Sequence, residues 1–308
     1  MNTTTQDRRG SGHRATRLGE RARVPWKHVV VFALFAYAIA WAVWGTLWPS
    51  ISDALSSGRT ASKIDLGGIT VLGMFAPAIA AVLMRAFVSK EGFKGSLGPI
   101  RRRWRFYIVA VLGAVALVAT LNGLAELGIG NTDLKRWGYI GPAMLFIGIP
   151  VGTALAFGEE YGWRGYLLPK LLPLGEVKAS LLIALIWAPW HLPVLLAGLN
   201  YPGRSIPLVL AVFGLSTVML SLLHTRFFVA SGMSVLVVSI LHGSLNTLSD
   251  GITDSSHIAG NPLLISGGGI IATGLVAGAV LGSYVVRRKR RGSSAAGVGP
   301  TEQVEMAA

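Results

Sequence analysis

Residues 142–170 read PAMLFIGIPVGTALAFGEEYGWRGYLLPK, and this stretch decides the class of fold. Its apolar run is long enough to cross a bilayer, which takes roughly 20 residues of α-helix. The run nevertheless contains Glu159, Glu160 and Arg164. Ionisable side chains within a membrane span are costly and usually functional. The stretch therefore predicts a transmembrane helix that carries a polar site.

Seven further apolar runs of similar length flank this helix along the chain. They lie at 28–48, 67–88, 106–124, 179–199, 206–224, 230–248 and 265–286. We expect an all-α polytopic membrane protein with about eight transmembrane helices. The transmembrane domain would span residues 27–286, between polar tails at 1–26 and 287–308 that we expect to be disordered.

The composition agrees with a membrane protein. Of the 308 residues, 14% are charged and 52% are hydrophobic, and the mean hydropathy is +0.56. A soluble domain carries about 25% charged residues, so that class is excluded. The chain has no cysteine, which excludes disulfides, thiolate metal sites and a cysteine nucleophile.

The net charge of +14 is explained by topology. With the N-terminus inside, all but five of the 28 lysines and arginines fall in inner segments, as the positive-inside rule requires. The outer exceptions are Arg59, Lys63, Lys135, Arg136 and Arg204. We therefore expect both termini in the cytoplasm, a multi-pass protein of the cell membrane, and attraction to anionic lipids of the inner leaflet. No nucleic-acid partner is expected, because no nucleic-acid-binding fold accompanies the charge.

Polar residues on three spans fall at one depth. With a rise of about 1.5 Å per residue, Glu159 lies about 15 Å from the inner boundary, and His191 and His242 lie about 18 Å from it. Asn246 follows His242 by one turn on the same helix face. We therefore predict a site near the bilayer midplane that contains these four residues.

The first of these spans carries a second acid and a base. Glu160 and Arg164 are four residues apart and can form an ion pair within the helix. Adjacent helical residues point about 100° apart, so this pair would leave Glu159 available for different work.

We also assign expected positions to two tryptophans and a further histidine. Trp187 and Trp190 precede His191, and we expect them to line the substrate pocket or to pack near it. His224 stands two residues before Arg226, at the predicted inner end of its span. We expect it to lie at the membrane interface.

Together, three motifs resemble those of a known family. They are Glu-Glu-x-x-x-Arg at 159–164, aromatic-x-x-x-His at 187–191 and His-x-x-x-Asn at 242–246. In this order they resemble the CAAX-protease and bacteriocin-processing (CPBP, or ABI) intramembrane proteases, which include the type II CAAX prenyl endopeptidases. The resemblance covers a motif core at about 142–250, roughly the middle third of the chain.

The resemblance implies roles for the residues that match the motifs. Glu159 and His191 would activate a water for peptide hydrolysis. His242 and Asn246 would form the oxyanion hole.

The resemblance also implies that Glu160 and Arg164 orient the first motif. The second motif usually has Phe at its aromatic position, where this chain has Trp187. This difference affects the expected shape of the substrate pocket and leaves the chemistry unchanged.

A metal-dependent mechanism is the alternative. Glu159, His191 and His242 supply two imidazoles and a carboxylate, a set found in some zinc hydrolases. We favour no cofactor, because a His–Asn pair suits oxyanion binding better than coordination.

The sequence thus predicts an intramembrane endopeptidase that acts on a membrane-anchored or lipidated (CAAX-like) protein or peptide. Intramembrane Glu and His also build proton relays, so a proton-coupled transporter is one alternative. A non-catalytic membrane scaffold or immunity protein is the other.

Overall fold

The structure is a computed structural model that describes residues 23–61, 67–100, 104–129 and 142–253, together with residues 278, 282 and 283. This part of the chain is helical, and its β structure is limited to one bridge between Arg59 and Ser205. The all-α prediction is confirmed for these residues. The predicted span at 265–286 and the predicted tails lie outside them, apart from residues 23–26, 278, 282 and 283.

Eleven α-helices are described in this part of the chain. They are α1 (Trp26–Trp44), α2 (Trp48–Ser57), α3 (Gly67–Met74), α4 (Ala76–Leu83), α5 (Arg105–Ile129), α6 (Ile149–Gly162), α7 (Leu168–Leu171), α8 (Glu176–Trp190), α9 (Leu192–Leu196), α10 (Ile206–Ala230) and α11 (Val235–Thr253). A 3₁₀ turn at Gly45–Leu47 joins α1 to α2, and another at Leu172–Leu174 follows α7. Turns of π-helix occupy Met84–Val88, Met144–Gly148 and Trp163–Leu167.

Within the part of the chain that the structure describes, three helical segments are long and apolar enough to cross a membrane, namely Trp26–Ser57, Val71–Val88 and Ile206–Ala230. Shorter apolar helices lie at Arg105–Thr120 and Val235–Ser249. Large apolar side chains face outward on several helices, including Leu34 on α1 and Leu112 on α5. Such an exposed apolar surface is what a lipid environment accommodates. The protein is an integral membrane protein, whereas eight spans with two cytoplasmic termini stay a prediction.

Glycines bring α6 close to its neighbours. A Cβ at Gly243 on α11 would collide with the backbone of Gly152 and Thr153 on α6. On another side of α6, a Cβ at Gly158 would lie 2.9 Å from the Met74 carbonyl oxygen of α3. Small residues let helix backbones approach in this way in membrane proteins. They hold the helix that carries both glutamates directly against α11.

A proline follows the π turn that comes after the glutamates and leaves one carbonyl of that turn without a backbone donor. Pro169 has no N–H, so the carbonyl of Gly165, four residues earlier, loses its helical donor. The Arg85 guanidinium replaces that donor, with Nη2 2.9 Å from the Gly165 oxygen. Arg85 is in turn paired with Glu91, at 3.3 Å. The C-terminal end of this helix is thereby tied to the segment that follows α4.

An aromatic core packs α1 against the helices of the motif core. Phe32 and Trp44 on α1 are almost fully buried. The Phe32 ring lies 5.5 Å from that of Trp163, and the Trp44 ring lies 4.6 Å from that of Trp190. These contacts fix the two polar-bearing helices α6 and α8 on a common apolar base.

Candidate active site

The adjacent glutamates of α6 are both buried, with Glu159 2% exposed and Glu160 0% exposed. Their carboxylates have different partners, as expected for neighbours on a helix. Each is held by a different group of side chains, and the two groups meet at Trp187.

Glu160 is the centre of the first group. Its Oε1 accepts hydrogen bonds from Arg164 Nη1 at 2.8 Å and from His242 Nδ1 at 2.7 Å. The predicted Glu160–Arg164 pair is therefore present. His224 Nδ1 lies 3.4 Å from the same oxygen, within ion-pair distance. Helices α6, α10 and α11 thus converge on one carboxylate oxygen.

Glu159 belongs to the second group. Its Oε2 accepts a hydrogen bond of 2.7 Å from the indole Nε1 of Trp187 on α8. The backbone carbonyl of Trp187 lies 2.9 Å from Nδ1 of His191. Trp187 therefore connects the carboxylate and the imidazole that the first two motifs contribute.

A break in the helix allows the hydrogen bond between the His191 ring and the Trp187 carbonyl. In a continuous α-helix the N–H of His191 would bond the Trp187 carbonyl. It instead bonds the carbonyls of Ala188 and Pro189, where α8 ends. The Trp187 oxygen is then accessible to the His191 side chain. Because a carbonyl only accepts, Nδ1 of His191 carries the hydrogen and, in the neutral ring, Nε2 is an acceptor.

The structure does not bring every predicted site residue into these groups. Asn246 lies one turn beyond His242 on α11, and its side chain is exposed. Trp187 and Trp190 are both buried, at 3% and 0% exposure. Trp190 donates its indole N–H to the Ala36 carbonyl at 3.2 Å.

The expectation for His224 was wrong. The predicted span ended at residue 224, whereas α10 continues to Ala230. His224 is accordingly inside the helix and fully buried, with its ring 4.9 Å from that of His242. A histidine six residues before the true end of an apolar helix is the signal that could have identified it.

The ligand atoms of Glu160, His224 and His242 lie within 4.8 Å of one another. This set differs from the predicted alternative of Glu159, His191 and His242, with which it shares one residue. The chemistry of the set fits a metal poorly. Arg164 and His242 already donate to Oε1 of Glu160, and a guanidinium 2.8 Å from that oxygen repels a cation.

Comparison with known proteins agrees with the three motifs. Residues 141–248 match the family model described as "Type II CAAX prenyl endopeptidase Rce1-like". No curated protein matches the chain. The match includes all three motifs and the helices that carry them. The resemblance to the CPBP intramembrane proteases is therefore confirmed over residues 141–248, which are similar to the Rce1-like family.

Proposed function

We propose that this protein is an intramembrane endopeptidase that hydrolyses a peptide bond in a membrane-anchored or lipidated, CAAX-like protein. One observation carries the proposal: Glu159 and His191 are both bound to Trp187, one through its indole and the other through its carbonyl. The Rce1-like match over residues 141–248 supports the reaction class.

Glu159 and His191 would activate the attacking water. His191 presents Nε2 as an acceptor, because Nδ1 is bound to a carbonyl. Glu159 keeps Oε1 for the water, because Trp187 occupies Oε2. The water oxygen attacks the peptide carbonyl carbon, and its proton passes to this pair. The same proton then goes to the leaving amine as the C–N bond breaks, so the products are a new carboxylate and a new amine.

His242 and Asn246 would stabilise the oxyanion. Nδ1 of His242 donates to Glu160, so Nε2 can donate to an oxyanion only when both ring nitrogens carry hydrogen. Each donor aimed at the oxyanion contributes about 3–4 kcal/mol to transition-state stabilisation. Asn246 is exposed on the same face and would reach the oxyanion once substrate covers it.

The membrane position of the substrate follows from the same proposal. A site on apolar helices suits a protein or peptide anchored in the bilayer, and the basic inner segments suit anionic lipids of the cytoplasmic leaflet. We place the protein in the cell membrane with multiple spans. A proton-coupled transporter is less well supported, because three histidines gather around Trp187 and Glu159 is bound to it, so these groups are not spaced along a path.

The proposal is tested with a membrane-anchored reporter that ends in a CAAX sequence, with and without a prenyl group. Cells expressing the wild-type protein should release the C-terminal fragment, and Glu159→Gln should abolish its release. Asp53→Asn is the matched control, because it removes an acid from the exposed surface of α2. Equal cleavage by the Glu159→Gln variant, or proton flux that needs Glu159 without any peptidase activity, would overturn the proposal.

A further inference from the structure

Trp187 lies at the centre of the residues that the three motifs contribute. Its ring centroid is 5.9 Å from those of His191 and His224 and 5.6 Å from that of His242. The Arg164 guanidinium lies over the same ring, 4.6 Å from its centroid. The indole thus contacts the side chains that surround both glutamates.

The polar edge of this indole makes a contact that a phenyl ring cannot make. Nε1–H is a donor only, and it lies 2.7 Å from Oε2 of Glu159. Both residues are buried, at 3% and 2% exposure. A hydrogen bond to a charged group in such a place is strong and directional. It fixes the rotation of the carboxylate and selects the oxygen that stays free.

The backbone of the same residue orients the second catalytic group. The Trp187 carbonyl accepts from Nδ1 of His191 at 2.9 Å, which sets both the tautomer and the ring plane of the imidazole. A displacement of the indole would therefore disturb the carboxylate directly, and a displacement of this helix turn would disturb both groups.

We propose that Trp187 is a positioning residue that holds Glu159 in its reactive orientation through the indole N–H, a device specific to a chain with Trp at the aromatic position of the second motif. The inference rests on the proposed function, since it gives Glu159 an orientation that matters for water activation. Trp187 was expected only to line the pocket or to pack near it, whereas here its indole N–H is bound to the proposed base Glu159.

Trp187→Phe tests the proposal, because it keeps an aromatic ring and removes the donor. We expect kcat for the CAAX reporter to fall at least about tenfold, because small misplacements of reacting groups have large effects on rate. KM should change less than about twofold, because the donor acts on Glu159 and contributes little to ground-state binding. Trp44→Phe is the control: Trp44 is also buried, at 1% exposure, and packs on Trp190, but its indole N–H has no hydrogen-bond partner among the described residues. It should retain the wild-type kcat.

A second replacement separates the donor from the packing. Incorporation of 3-benzothienylalanine at position 187 preserves the bicyclic shape and lacks the N–H. It should reproduce the fall in kcat with wild-type thermal stability. If the variant with 3-benzothienylalanine at position 187 retains the wild-type kcat, the proposal is overturned, and the Trp187 side chain only fills space.

A spectroscopic measurement tests the hydrogen bond from Trp187 to Glu159 and does not require an activity assay. The chain has nine tryptophans, so ¹H–¹⁵N spectra of the detergent-solubilised protein contain few indole signals. The signal lost in Trp187→Phe belongs to Trp187. The chemical shift of this signal should change in Glu159→Gln and should stay the same in Asp53→Asn. An unmoved signal in Glu159→Gln would overturn the inference, whereas full cleavage by Glu159→Gln would overturn the proposed function instead.

Discussion

Nδ1 of His242 lies 2.7 Å from Oε1 of Glu160, and this contact joins the first and third motifs across α6 and α11. The same oxygen accepts from Arg164 at 2.8 Å. The second glutamate of the first motif therefore supports a histidine on another helix, besides its pairing with the arginine four residues later. The two glutamates therefore have different partners: Glu160 is bound to Arg164 and His242, whereas Glu159 is bound to Trp187.

Glu160→Gln should destabilise the protein. The amide keeps the shape of the side chain and removes the ion-pair partner of Arg164, which is fully buried. Removal of one partner of a buried ion pair costs about 3–5 kcal/mol. Thermal unfolding in detergent should show the loss. The double variant Glu160→Gln/Arg164→Met should be more stable than Glu160→Gln alone, and a double variant that is less stable would contradict the ion-pair assignment.

His224→Phe should lower kcat by about tenfold, because the ring that adjoins Glu160 then lacks both nitrogens and the carboxylate shifts relative to His242. The phenyl ring keeps the packing against Trp187 and His242, so thermal stability should change little. Steady-state cleavage of the CAAX reporter measures the effect. An unchanged kcat would mean that His224 is only a packing residue.

The helices and one ion pair could be predicted from the sequence, because both follow from local patterns. The run at 28–48 overlaps α1 (Trp26–Trp44), and the spacing of Glu160 and Arg164 places them on one helix face. The partner of His242 could not be predicted. A common depth near the midplane is compatible with contact to either glutamate, and the rotation of α11 against α6 decides between them.

The break at His191 does not follow from the hydrophobicity pattern of the sequence. The run at 179–199 predicts one span, whereas α8 ends at Trp190 and α9 begins at Leu192. Pro189 and Pro193 lie on either side of the break, and each removes a backbone donor. The resulting His191–Trp187 bond depends on the local geometry of the backbone, which hydrophobicity does not encode.

Gly243→Ala should separate α11 from α6. The new methyl group would collide with the backbone of Gly152 and Thr153, which cannot move like a flexible side chain. Overpacking of this kind costs about 1–3 kcal/mol, and it should displace His242 from Glu160 and reduce cleavage. Gly113→Ala on α5 is the matched control, since no atom lies within 4 Å of its added Cβ. It should be neutral or should stabilise the helix by about 0.5–1 kcal/mol.

Stability should depend on pH through Glu91, outside the spans. Burial acts to raise the pKa of this carboxyl, but hydrogen bonds from Lys170 and Ser89 and the charges of Lys170 and Arg85 outweigh it, so the pKa of Glu91 lies below its usual range. A depressed carboxyl pKa stabilises the fold above the unfolded-state value, and this contribution is lost as the pH falls through the folded-state value.

Melting temperatures measured in detergent should therefore decrease on acidification, and part of that decrease should be absent in Glu91→Gln. Asp53→Asn, which removes an exposed acid from α2, should retain the full wild-type dependence. If the melting temperature of Glu91→Gln decreases on acidification as much as that of the wild type, the contacts of Glu91 with Lys170 and Arg85 contribute nothing to stability.

The central proposal is that Glu159 and His191 activate water for peptide hydrolysis, and we favour a mechanism without a metal. The most direct measurement is single-turnover cleavage of a CAAX peptide by purified protein in nanodiscs, with a divalent-metal chelator present and the cut site read by mass spectrometry. The account predicts an undiminished wild-type rate in chelator, and rates at least about 100-fold lower for Glu159→Gln and His191→Gln, because general acid–base catalysis contributes about that much. Cleavage that persists in Glu159→Gln, or a wild-type rate that disappears with the chelator and returns with zinc, would contradict it.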